Sequence, residues 1–347
     1  MTIKTIKSLT CLAACFCLAR PLLAWNGQGH MVIAQIAYNH LDPAVKAKCD
    51  ALIALPPPCG SVSHTFVSDS TWADARCESW TSSQHYLDLP ISLDGYPTNG
   101  VAYDSTNVVT AIRQYTAMLQ DPTANPTNQA TALRYLIHFC GDITQPCHAS
   151  TGVFTNMPTG DQGGNYFYLT GTWSKLHSLW DAGGGYLTDG ASVSTKAAAI
   201  EAAYPYTFSV GSIPDPMNWA IESWGIATTV TYVGISSNTT PTVSYLATAQ
   251  STTAQRMAIG GQRLAKLLNT IFVTNAPVAT STAFTDPNFN FSWTSVSGRT
   301  YRVQCKPQIT DPTWTDLVDI TASTTSTSFT TNSASLSQQF FRAIVVN

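Results

Sequence analysis

A mainly α-helical domain followed by a small all-β sandwich domain is the fold class this sequence predicts, on three observations. Apolar residues recur at spacings of three and four in residues 31–41, 108–119, 130–139 and 245–271, the period of a helix with one buried face. The composition changes abruptly after Ile271. From Phe289 onward, short alternating runs such as Thr300-Tyr301-Arg302-Val303-Gln304 lie between turn residues, the period of a half-buried strand.

The elements follow in chain order. Residues 1–24 read as an export leader: Lys4 and Lys7 make a positive start, residues 9–18 are apolar, and Ala24 is a small residue at the cleavage point, so that the mature chain begins at Trp25. A second reading, a lipoprotein box at Leu12-Ala13-Ala14-Cys15, stays open. Residues 25–274 form the helical domain, with Gly- and Pro-rich loops between its helices. Asp42-Pro43 and Asp215-Pro216 are helix starts in which an N-cap side chain precedes a proline that tolerates the first turn. Residues 275–285, rich in Thr, Ala and Pro, read as a linker, and residues 286–347 as a β-sandwich of roughly 60 to 65 residues. Past the leader no stretch is apolar for the length a membrane helix needs, so a secreted, extracellular or periplasmic protein is expected.

Of 347 residues, 44% are hydrophobic and 11% charged, which implies a packed globule whose surface relies on Ser, Thr, Asn and Gln. A formal charge of -3 excludes a broad basic face, so attraction for a polyanion must come from something local, such as bound cations. Of nine cysteines, Cys49, Cys59, Cys77, Cys140, Cys147 and Cys305 follow the leader, and an exported protein can oxidise them. Cys140 and Cys147 are the pair most easily joined, tying a helix end to its following loop. Thiolate metal ligation is the rival reading, though no C-x-x-C pair occurs and histidines are the more obvious ligands.

Five of the seven histidines sit in distinctive company. In the run His138-Phe139-Cys140-Gly141-Asp142-Ile143-Thr144-Gln145-Pro146-Cys147-His148, the first His and the Asp are four apart, on one face of a helix, where one metal meets both. Pro146 ends or bends that helix, so His148 approaches from another direction, as a second metal requires. The same spacing recurs at His177 and Asp181. Trp72-Ala73-Asp74, His85-Tyr86-Leu87-Asp88 and Trp25-Asn26-Gly27-Gln28-Gly29-His30 add a carboxylate and two imidazoles, and imidazole with carboxylate is the ordinary ligand set of catalytic zinc. His40 and His64 fall outside the set and read as surface or packing residues.

This ordered set, from Trp25 to about Phe272, resembles the S1/P1 nucleases, trinuclear zinc enzymes of largely helical, phospholipase C-like fold. The resemblance implies three zinc ions. Asp74, His85, His138 and Asp142 hold the first, with Asp142 bridging to a second held by His30 and by the free amine and carbonyl of Trp25; His148, His177 and Asp181 hold the third. It implies hydrolysis of single-stranded DNA and RNA to 5′-phosphorylated products and removal of 3′-phosphate from nucleotides, by in-line attack of a water that bridges two zincs. Three zincs and three aspartates leave about +3, a phosphate trap within an acidic protein. Asp74, beside that water, orients it or accepts its proton. Tyr86 and Asp88 match the family's base-gripping aromatic and Asp, and stacking on Tyr86 requires an unpaired base. Asp161-Gln162-Gly163-Gly164-Asn165 is similar to the family's Asp-x-Gly-Gly-Asn segment, which makes Gly164 and Asn165 substrate-binding candidates. There is one departure: where the family carries Lys or Arg three residues after the Asp matching Asp74, this chain has Cys77, and the nearest cation is Arg76.

The nearest rival, a zinc phospholipase C, shares the fold and the three-zinc chemistry but usually has Glu where this chain has Asp181. Together with Tyr86-Leu87-Asp88 and the Gly-Gly-Asn segment, that residue favours the nuclease. The tail, with Ser292-Trp293, residues 298–303, Pro312-Thr313-Trp314 and Phe340-Phe341-Arg342, resembles fibronectin-like modules of exported bacterial enzymes. It suggests a rival of another class, a non-catalytic surface-binding protein, against which the intact ligand set argues. No obligate protein partner is evident.

Overall fold

The computed structural model describes residues 25–59, 65–75, 79–121, 123–207, 215–272, 277–285, 287–295, 297–332 and 339–346. The expected leader, His64, Arg76 and Cys77 lie outside them. The helices are α1 (Gly27–Asn39), α2 (Pro43–Ile53), α3 (Val108–Gln120), α4 (Pro126–Asp142), α5 (Leu176–Asp181), α6 (Val193–Ala203), α7 (Pro216–Ile226) and α8 (Val243–Phe272); the helical period marks α1, α3, α4 and α8, whereas α6 carries no signal singled out from the sequence. Short 3-10 segments cover Ser68–Ala75, Ser79–His85 and Pro146–Ala149. The two Asp-Pro starts open α2 and α7, and at α7 the Asp215 carboxylate accepts from the Met217 N–H.

Helix α4 is the axis of the first unit. Asn125 caps it by accepting from the Thr127 N–H, and Pro126 fits its first turn. Every residue from Ala132 to Asp142 is buried, because α1, α2, α3 and the 68–75 segment all pack around it. Buried Arg134 donates to Asp69 at 2.7 Å and to the carbonyls of Ile53 and Leu55, which fastens the 68–75 segment and α2 to the helix. Past Asp142 the chain turns under other anchors. Ser223 Oγ of α7 donates to the Ile143 carbonyl at 2.5 Å, and the Arg256 guanidinium of α8 donates to the Thr144 carbonyl at 3.1 Å. These bonds fix the loop, while the last helix carbonyls of Phe139, Gly141 and Asp142 accept from the N–H groups of Ile143, Thr144 and Gln145. Strands β1 (Pro90–Ser92) and β2 (Thr151–Val153) pair in parallel, zipping the segment after His85 to the segment after His148.

The expected Cys140–Cys147 disulfide is corrected: both are free, buried thiols. Cys140 lies buried on α4, whereas Cys147 packs among Ile91, Phe167, Leu176 and Trp180. Seven residues apart in sequence, they serve different packing layers. Cys59 is disulfide-bonded. His40 behaves as a packing residue, bonded to Glu201 and stacked on Tyr206.

The chain divides between Ile271 and Phe272. The second unit holds two antiparallel sheets, β3-β4-β7 and β6-β5-β8, formed by β3 (Ala279–Thr285), β4 (Asn288–Thr294), β5 (Thr300–Lys306), β6 (Thr315–Thr321), β7 (Ser326–Asn332) and β8 (Phe340–Val346). Phe291 and Trp293 from one sheet meet Tyr301, Val303 and Ala343 from the other in one core. Part of the expected linker is a strand. β3 pairs with β4 through its backbone while all its side chains stay exposed, so no apolar alternation marks it in the sequence.

Candidate metal centre

Helix α4 delivers His138 and Asp142 from one face, and the elements fastened to it deliver the rest. The 68–75 segment brings Asp74, the segment Ser79–His85 brings His85, and α1 brings His30, whose ring stacks on that of His138 at 3.9 Å. The close approach of α1 requires Gly141, since a Cβ there would stand 3.0 Å from His30 Nδ1. Three groups of potential ligands result: His30, Asp74 and His138; His85, His138 and Asp142; and His148, His177 and Asp181. All eight side chains expected as ligands fall in these groups, the first two of which share His138. Trp25, the ninth, is fully buried beside them. Its indole Nε1 donates to the Gly141 carbonyl at 3.1 Å, and the next residue, Asn26, donates its N–H to the Asp181 carbonyl at 2.9 Å.

Asp142 turns its two oxygens in different directions. Oδ1 lies 3.4 Å from His30 Nε2, while Oδ2 lies 3.0 Å from His85 Nδ1 and 3.3 Å from His138 Nε2. This is the geometry of a carboxylate between two sites.

The protons on the imidazoles are set by backbone carbonyls. His138 Nδ1 faces Ser70 O at 2.7 Å, His148 Nδ1 faces His85 O at 2.8 Å, and His177 Nδ1 faces Gly163 O at 2.7 Å. Burial works against a charge on His138, but Asp142 and Asp74 outweigh it and raise that ring well above the usual imidazole range. A ring nitrogen opposite a carbonyl must carry the hydrogen, so the neutral rings of His148 and His177 keep the lone pair on Nε2. Yet His148 Nε2 and His177 Nε2 stand 3.1 Å apart, two lone pairs facing each other. Two nitrogens on a tetrahedral zinc, each at about 2.05 Å, would lie about 3.3 Å apart. Both ring nitrogens of His30, Oδ1 of Asp74 and Oδ1 of Asp142 are buried with no hydrogen-bond partner. Unpaired buried acceptors of this kind call for a cation, and imidazole with carboxylate suits zinc. The residues present fit the expected metal.

Burial, then the neighbouring His138, lowers His30 to about 3 and keeps it neutral and able to ligate. Burial works against ionisation of Asp74 and Asp142, but His138 outweighs it and holds both below the usual carboxylate range. Asp181 is pushed well above that range by burial, with the charges of Asp74 and Asp142 adding to it. Gln145 steadies Asp181, its amide donating to Oδ1 at 2.8 Å while its own oxygen accepts the Cys147 N–H.

A cavity of about 90 Å³ opens beside the third group, lined by Tyr86, Asp88, Cys147, His148, Gln162, Asn165 and His177. The β1–β2 pairing and a bond from the Leu87 N–H to the His148 carbonyl hold Tyr86 and Asp88 there. Asn165 lines the cavity; Gly164 does not, and instead its carbonyl accepts the His177 N–H at 3.3 Å. Gly163 has φ of +62°, and a Cβ there would fall 2.2 Å from the Cys147 carbonyl, so only glycine fits where its own carbonyl meets His177. Gln145, Gln162 and the three carbonyls facing the imidazoles were not singled out from the sequence. Gln145 lies inside the quoted histidine run, but the carbonyls have no side-chain signal. Arg76 lies outside the described residues. Among the described residues no helix is long and apolar enough to cross a membrane.

The sequence profile of S1/P1 nucleases matches residues 25–273. The chain is 28% identical to nuclease P1 of Penicillium citrinum over 71% of this chain and 97% of that protein. It is 28% identical to endonuclease 1 of Arabidopsis thaliana over 76% of this chain and 92% of that one. Among solved structures it is similar to the alpha toxin from Clostridium absonum at a TM-score of 0.42 and 11% identity, covering 93% of this chain and 84% of that one.

Proposed function

Because the chain belongs to the S1/P1 nuclease family, we propose that it is a zinc-dependent hydrolase that cleaves single-stranded DNA and RNA to 5′-phosphorylated products and removes 3′-phosphate from nucleotides. The observation that carries this reading is the pair of opposed imidazole nitrogens, His148 Nε2 and His177 Nε2, each with its other nitrogen committed to a carbonyl. It has no stable neutral arrangement without a cation between them.

Three zinc ions are proposed: one held by Asp74, His85, His138 and Asp142, one by Asp142, His30 and, after removal of the leader, the amine and carbonyl of Trp25, and one by His148, His177 and Asp181. Bound zinc supplies Lewis acidity, drawing phosphate oxygens and lowering the pKa of a water nucleophile. Asp142 keeps the first two sites at fixed separation, since its two oxygens serve different neighbours. Asp74 is proposed to orient the water or accept its proton: its Oδ1 is buried and without a hydrogen-bond partner. Tyr86 offers a face for stacking and the Asp88 carboxyl a hydrogen-bonding partner for the base edge, which selects unpaired bases. Asn165 borders the same cavity, and Gly164 acts on substrate through the His177 it supports. Arg76, two residues after Asp74, is the proposed cation for the phosphate. Secretion and an accessory, substrate-independent role for the β domain complete the reading.

The test is incubation of the protein with single-stranded DNA, RNA, duplex DNA, a 3′-mononucleotide and phosphatidylcholine. Chelator-sensitive cleavage of the single strands and the mononucleotide is expected. Hydrolysis of phosphatidylcholine alone would assign the phospholipase chemistry instead.

A further inference from the structure

A second cavity, of about 210 Å³, adjoins the first and is lined by Leu87, Ala102, Tyr103, Asp104 and Asn107 together with Tyr86, Asp88 and Gln162, the three residues it shares with the first. It contains no candidate metal ligand, so it lies one step further from the reacting phosphate. We propose that this cavity is a subsite for the nucleobase next to the one held in the first cavity, and that it selects bases carrying an amino group, guanine above all. The proposal rests on the nuclease reading.

Three features of the cavity suit a base. Its walls include two aromatic rings: Tyr86, common to both cavities, and Tyr103, which is 45% exposed. A large aromatic left so open next to a candidate active site presents a stacking face, and stacking accepts any base. The wall is also preformed. Asn107 caps α3, its amide holds the Asp104 carbonyl at 2.8 Å, and the Val108 N–H holds the Tyr86 carbonyl at 3.1 Å, so residues 103–108 are locked to the segment that carries Tyr86.

The polar groups set the chemistry. The Asp104 carboxylate makes no hydrogen bond or ion pair among the described residues, and neither does the Gln162 carboxamide, although Gln162 stands between the two cavities. Gln162 has φ of +54°, a left-handed conformation that side chains rarely adopt, and it is held there by a bond from its N–H to Thr151 Oγ1. The Asp104 carboxylate repels a phosphate, so the occupant is the base and not the backbone. An ionised carboxylate only accepts. Guanine offers two adjacent donors, N1–H and its amino group, adenine and cytosine offer one amino group, and uracil and thymine offer a single N3–H flanked by two carbonyl oxygens that a carboxylate repels.

The test measures kcat and KM of the zinc-loaded enzyme on dinucleotides in which each position in turn carries G, A, C or U, against a 3′-mononucleotide as the one-base reference. The wild type is expected to favour G over U by about tenfold at one position. Asp104→Asn, whose amide both donates and accepts, should bring that preference within about twofold. Tyr103→Ala should lower the dinucleotide-to-mononucleotide ratio of kcat/KM about tenfold, chiefly through KM, and Tyr103→Phe should restore it. Zinc content and circular dichroism verify that the variants are folded. Equal losses on both substrates in Tyr103→Ala, or a wild type indifferent to the base at both positions, would overturn the subsite. A wild type that cleaves neither substrate would overturn the nuclease reading itself.

Discussion

Asp142→Asn is the substitution with the most at stake, because one side chain serves two sites. Asp142 is fully buried, with Oδ1 3.4 Å from His30 Nε2 and Oδ2 3.0 and 3.3 Å from His85 and His138. Asparagine keeps the shape but carries no charge, and its amide nitrogen must replace one of the two oxygens. Whichever way it turns, an N–H group faces one of the two sites and cannot ligate. Removing one member of a buried charged set costs about 3–5 kcal/mol, which corresponds to a loss of about 10²- to 10⁴-fold in zinc affinity. Dialysed protein should therefore lack at least one zinc by elemental analysis, and kcat on single-stranded DNA should fall more than about 100-fold. Far-UV circular dichroism should remain helical, since α4 is held by packing along its whole length. A variant with full zinc content and a rate within about threefold of wild type would refute the bridging geometry.

Burial, followed by the charges of Asp161 and Asp104, pushes Asp88 up to about 7. An unfolded carboxyl titrates near about 4, so between roughly pH 4 and 7 the native state holds a proton that the unfolded state releases, and stability declines as pH rises through that window. The Tm of chelated Asp88→Asn minus that of chelated wild type should accordingly grow from pH 4 to pH 7 and then level off; a flat difference would count against it. A protein with one extra residue before Trp25 should bind fewer zinc ions and lose most activity, because an internal peptide nitrogen has no lone pair to give; equal zinc content and rate would remove Trp25 from the ligands. A chain ending near residue 275 should stay folded and cut small substrates, as judged by Tm and turnover, since the β unit carries none of the ligand residues; loss of zinc would show a shared site.

The centre was legible where its chemistry follows helical spacing. His138 with Asp142 and His177 with Asp181 are four apart on α4 and α5, and both pairs close to within 3.6 Å. The separate approach of His148 was expected from Pro146, but α4 already ends at Asp142 and Pro146 instead opens the 3-10 segment that carries His148. What joins distant segments was not. The meeting of His30 with Asp142 depends on Gly141 being small enough for α1 to approach, and no periodicity records that. Cys140 and Cys147 are near in sequence, but the helix end turns them into different layers, which sequence distance does not reveal. Strand β3 was hidden because its pairing is made by backbone alone. Gln162 escaped notice because its significance lies in a backbone angle.

Anomalous scattering at the zinc edge, from crystals of the protein beginning at Trp25, tests the central claim most directly, since it counts the ions and locates their ligands together. Three peaks are predicted: one among Asp74, His85, His138 and Asp142, one between Asp142, His30 and the Trp25 amine, and one among His148, His177 and Asp181. A single peak or none, in crystals of protein that cleaves single-stranded DNA, would contradict the three-zinc centre.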